Sequence, residues 1–95
     1  MTNKKFLDVG SPLITIAVIL KRVHHITIVN PQDMHTEALP IGTFGRIHSI
    51  ENRSRYVVWL LDESASTTVV VKVPWDLMSG YFRQQHHNIF PHFAD

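Results

Sequence analysis

The chain contains no cysteine. That absence excludes disulfides, thiolate metal sites and cysteine nucleophiles together. Small secreted domains commonly compensate a thin core with disulfides, so a reducing, cytoplasmic compartment is the expectation. A charge surplus is also missing: nine Lys and Arg stand against eight Asp and Glu, a net charge of +1. A dedicated nucleic-acid binder carries a basic face and a higher pI, and this balance leaves room only for a local patch. Long hydrophobic runs are lacking too. The apolar stretch Leu13 to Leu20 spans eight residues, whereas a membrane helix needs about 20. Lys4 and Lys5 precede it much as the charged start of a signal peptide would. However, Asp8, Gly10 and Pro12 interrupt the approach, and Lys21-Arg22-Val23-His24-His25 lacks the small residues of a cleavage region. No membrane partner is expected. Repeats, low-complexity tracts and linkers are absent as well. Residues 1–95 therefore read as one domain: a loose lead-in over 1–12, a β barrel over 13–78, and a C-terminal helix and tail over 79–95.

What is present is an ordinary globular apolar fraction, 44%, arranged mostly in short β-rich runs. Gly10-Ser11-Pro12 breaks the chain before Leu13-Ile14-Thr15-Ile16-Ala17-Val18-Ile19-Leu20, whose β-branched content favours a strand covered on both faces. His24 to Val29 continues it or forms a second strand. Asn30-Pro31-Gln32-Asp33 then signals a turn, opening a polar connection that ends at Gly42. Three further runs follow, Thr43–Ile50, Arg55–Leu61 and Thr67–Val73, separated by the polar turns Glu51–Ser54 and Asp62–Ser66. Short strands with short turns read as an antiparallel meander. Pro74 stops the last strand. A helix is expected over Asp76–His87, capped by Asp76 or Ser79 and weakened at Gly80 by about 1 kcal/mol.

Residues 39–78 carry a recognisable pattern. Leu39-Pro40-Ile41-Gly42-Thr43-Phe44-Gly45-Arg46-Ile47 precedes a hairpin; Tyr56-Val57-Val58-Trp59-Leu60 and a valine strand follow, then Pro74-Trp75-Asp76-Leu77. This resembles the small SH3-like barrels typified by KOW-type ribosomal modules and by several bacterial families. The resemblance implies a mainly β, small antiparallel SH3-like barrel with a short C-terminal helix. It implies glycines that allow a tight approach to the second strand and a helical turn that closes one end. It selects no function, because this fold hosts peptide binding, RNA binding and toxin nucleases alike.

The chemistry-bearing residues form three groups. Seven histidines, His24, His25, His35, His48, His86, His87 and His92, are the compositional oddity. A zinc or nickel site joining His24-His25 to His86-His87 is one alternative, although adjacent histidines on a strand point to opposite faces. Basic and aromatic residues gather near one hairpin: Phe44, Arg46, Arg53, Arg55 and Tyr56. Arginine–phosphate contacts with aromatic stacking would suit a nucleic acid or a toxin-type ribonuclease. An edge strand guarded by charge is the plainer reading. Finally, Tyr56, Val58 and Leu60 face one way on their strand while Val57, Trp59 and Leu61 face the other, so something must cover the second face. The candidates are the C-terminal residues Tyr81, Phe82, Phe90 and Phe93, the first strand, or a second copy of the chain. Asp62 and Glu63 read as turn carboxylates serving solvation and capping. No nucleophile motif, phosphate loop or carboxylate pair occurs, so no catalytic residue, cofactor or metal is assigned. The expectation is a non-enzymatic interaction module, self-associating as a homodimer or binding a protein partner.

Overall fold

The strongest alternation in the sequence builds the centre of the structure. The computed structural model describes residues 8–85. In it β5 (Phe44–Glu51), β6 (Arg55–Asp62) and β7 (Thr67–Pro74) form an antiparallel meander. Period-2 alternation turns Ile47, Val58, Leu60, Val69, Val71 and Val73 inward, and each is essentially fully buried. Each such side chain contributes roughly 1.5–3 kcal/mol of burial.

The remaining strands extend this meander on both sides. β1 (Pro12–Thr15) lies against β5, and β8 (Phe82–Gln84) against β1. β3 (Thr27–Ile28) lies on the other side, against β7. The six-stranded sheet runs β3-β7-β6-β5-β1-β8, every neighbour antiparallel. A second ladder, β2 (Ile19–Leu20) with β4 (Ala38–Leu39), forms within the excursion between β1 and β5. It delivers Ile19 and Leu39 to the core, together with Met34 behind a 3-10 turn at Pro31–Asp33. Thr15 clasps the excursion shut. Its hydroxyl donates to Pro40 O at 2.9 Å and accepts from Thr43 N at 2.9 Å, while Gly42 N donates to Thr15 O.

A small mainly β, antiparallel fold with a short C-terminal helix is what the sequence led one to expect, and the meander boundaries agree to within a residue. Three details differ. The apolar run Leu13–Leu20 is two strands, not one, because β1 leaves the sheet at Thr15. Ile16, Val18 and Leu20 are consequently exposed rather than covered on both faces. Only Thr27 and Ile28 of the His24–Val29 stretch pair as a strand. The expected helix over Asp76–His87 is a 3-10 turn at Trp75–Leu77 followed by one α turn, α1 (Met78–Tyr81), neither capped by a side chain. Phe82 then starts β8, whose pairing with β1 supplies backbone hydrogen bonds and buries its own ring to 1% exposure. That tertiary gain outweighs a local helical spacing already weakened by Gly80. Ahead of β1, Gly10 N donates to Ile47 O at 2.7 Å. Phe90, Phe93, His86, His87 and His92 lie outside the described residues. No helix among the described residues is long and apolar enough to cross a membrane.

Candidate functional site

The hairpin joining β5 to β6 is where the arginines gather, and its backbone is unusual. Ser54 N donates to Glu51 O at 3.0 Å, closing a tight turn around Asn52 and Arg53. Both central residues are left-handed, with φ of 51° and 62°. This mirror-image turn matches the right-handed twist of the flanking strands. Asparagine accepts it readily, but for arginine the crowding of Cβ costs about 1–2 kcal/mol. A glycine would avoid that cost.

The surroundings of this turn are equally specific. Arg55 stands opposite Pro74 in the β6–β7 ladder, and Trp75 N donates to Ser54 O at 2.8 Å. The first residue of the 3-10 turn, Trp75, is thereby pinned to the hairpin and is 55% exposed. Arg53 and Arg55 are exposed as well. Beside them Ile50, Asn52, Arg53 and Tyr56 line a concavity of about 430 Å3. Tyr56 is a buried wall of that concavity rather than a free surface ring. The hollow itself offers one guanidinium, from Arg53, and the Asn52 amide, while exposed Arg55 and Trp75 lie next to the turn along the backbone; such groups suit an extended chain that carries negative charge. The exposed Asp76, next to Trp75, moderates the positive field.

Phe44 and Arg46 lie elsewhere, on the outer face of the sheet. Arg46 stands opposite Trp59 in the β5–β6 ladder, its guanidinium carbon 5.8 Å from the indole centroid. A β-bulge between Ile47 and Ser49 re-aims His48, which stacks on the same indole at 4.4 Å with the rings 8° from parallel. The three proposed interface residues therefore have different surroundings. Trp59 is packed by His48 and Arg46 of its own chain. Val57 is buried, with the ion pair between Lys72 Nζ and Glu51 Oε2, 2.9 Å, reaching across its strand from β7 to β5. Leu61 is half-buried beside Phe44. Part of the cover for the second face thus comes from within the sheet.

Among the described residues, the histidines do not converge, and the expected partners His86 and His87 lie outside those residues. His24 and His25 lie edge to face, 6.4 Å apart, and no group of three metal-ligating side chains comes together among the described residues. Neither a protein-family model, nor a curated protein, nor a solved structure matches this chain.

Two residues outside the sequence-derived set stand out. In the sequence Trp75 lies just ahead of the helix expected over Asp76–His87. Nothing local in the sequence shows that its backbone docks on the hairpin. Asp62 reads from the sequence as a solvated turn residue, yet it is 2% exposed. Its signal lay in the parity of β6: Tyr56, Val58, Leu60 and Asp62 all point inward.

Proposed function

We propose that this protein is a non-enzymatic interaction module that takes a short acidic segment of a protein partner at the hairpin end of its sheet. The observation that carries this reading is the pinned, 55% exposed Trp75 beside exposed Arg53 and Arg55. Large exposed aromatics flanked by arginine are the residue types that dominate recognition surfaces. Charge decides the class of partner. Two arginines with Asp76 close by, in a chain of net charge +1, match a few carboxylates better than the dense phosphates of a nucleic-acid backbone.

The test is an NMR titration of the full chain with a glutamate-rich peptide. Saturable shifts at Asn52, Arg53 and the Trp75 indole are expected, weakening with salt and lost in Arg53→Ala and Trp75→Ala. An unshifted hairpin, or equal binding by both variants, would refute the proposal. A second reading draws on the His48–Trp59 stack with Arg46 above it, a half-exposed cationic and aromatic surface suited to single-stranded nucleic acid. An oligonucleotide that shifts the Trp59 indole and leaves Trp75 unmoved would put that reading first. Self-association is assigned to the same outer face at Leu61 and Trp59, and an unchanged sedimentation coefficient in Leu61→Asp would remove it.

A further inference from the structure

At the far end of β6 the chemistry is reversed. Asp62 is buried, and its Oδ1 accepts a hydrogen bond from Ser64 Oγ at 2.7 Å. Its Oδ2 is buried with no hydrogen-bond partner. A buried carboxylate oxygen is costly unless a donor satisfies it. Asp62 also lines a cleft of about 270 Å3 between the excursion and the β6–β7 turn. Glu63 and Ser64 line the same cleft, and Pro40, Phe44 and Leu61 supply apolar walls. The donors lining the cleft, the hydroxyls of Thr36, Thr43 and Ser64, are already engaged with Ala38 O, Pro40 O and Asp62 Oδ1, which leaves carboxylate acceptors, negative charge and room for an apolar stem.

We infer that this cleft binds an arginine side chain presented by another protein chain. A guanidinium is planar, carries only donors, and hydrogen-bonds carboxylates in a forked geometry. Its methylene stem packs along apolar walls, and the charged head is attracted to an aromatic face such as Phe44. An N–H donor arriving at Asp62 displaces or shares the hydroxyl of Ser64, which sits on the exposed turn. A metal ion is the weaker fit, since no three metal-ligating side chains come together among the described residues. This site is separate from the hairpin surface and does not depend on it.

The probe is N-acetyl-arginine methylamide, titrated into the isotopically labelled full chain. Saturable amide shifts are expected at Thr43, Glu63 and Ser64, with Asn52 and Arg53 unmoved. The lysine analogue should bind several-fold more weakly, because an ammonium cannot fork. Asp62→Asn retains an acceptor for Ser64 and should weaken the arginine probe at least about tenfold. If that variant fails to fold, Glu63→Gln at the exposed rim decides, with about threefold weakening expected. The proposal fails if the wild type shows no saturable shift, or if the folded variants bind unchanged. It also fails if calcium or guanosine monophosphate moves these amides while the guanidinium does not. Dilution identifies the source: cleft shifts that fade on dilution and are absent in Arg53→Ala place the guanidinium on a second copy. Their absence places it on a different protein.

Discussion

The two ends of β6 lie roughly 23 Å apart along one strand, and they break the rules of stable folding in opposite ways. At the Arg55 end a charged residue, Arg53, occupies a left-handed position that glycine would fill without strain, and an indole stands in solvent. At the Asp62 end a carboxylate is buried with one oxygen unpartnered. The first end over-exposes groups that could be satisfied, and the second buries a group that is not. Between them Val58 and Leu60 are fully buried and obey every packing rule. Local departures from the low-energy choice, confined to the ends of an otherwise regular strand, are where binding chemistry is expected.

The comparison can be broken most severely beside the Asp62 end, at Gly45. A Cβ there would meet Leu60 Cδ2 at 2.5 Å and the Trp59 carbonyl oxygen at 2.7 Å. The carbonyl belongs to the ladder and cannot retreat, so Gly45→Ala should destabilise by about 3 kcal/mol in urea denaturation. A loss below about 1 kcal/mol would show that β5 and β6 are not packed this tightly. Next in size is Asp62→Asn, which removes a buried charge while keeping an acceptor for Ser64. It should raise stability by about 1–2 kcal/mol even as it weakens guanidinium binding at least about tenfold. A destabilised variant would instead make Asp62 a purely structural turn residue.

At the opposite end, Arg53→Gly relieves the left-handed strain and should raise the unfolding free energy by about 1 kcal/mol, while acidic-peptide binding falls. Equal stability of the two forms would mean the turn relaxes around arginine and the contrast between the ends is weaker. The smallest effect belongs to the Glu51–Lys72 pair, whose side chains are 40% and 30% exposed. Breaking it with Glu51→Gln should cost no more than about 0.5 kcal/mol, and the cost should vanish in high salt.

How much could be read in advance follows from how local each signal is. The meander was legible because alternation and polar turns act within a few residues: Arg55–Asp62 and Thr67–Pro74 emerge almost as read. Leu13–Leu20 was misread because its break depends on Thr15 binding Pro40 and Thr43, about 25 residues onward. Of the site residues, Arg53 and Arg55 were found by charge and turn chemistry. Arg46 was grouped with them by sequence proximity, yet lies on the other face over Trp59. Trp75 was missed because one backbone hydrogen bond to Ser54 brings it to the hairpin.

By itself the sequence determined the β class, the inward and outward sides of β5, β6 and β7, and the absence of thiol chemistry. These rest on the two-residue period of a strand and on composition, which need no partner to take effect. Only the tertiary structure decided the rest. Phe82 became a strand residue because β1 had an edge to pair. His48 of β5 came to stack on Trp59 of β6 across the ladder. Asp62 came to line one cleft with Leu39 and Pro40 of the excursion. Each outcome depends on contacts between residues distant in the chain, and their free energy outweighs the weak local preferences that sequence patterns report.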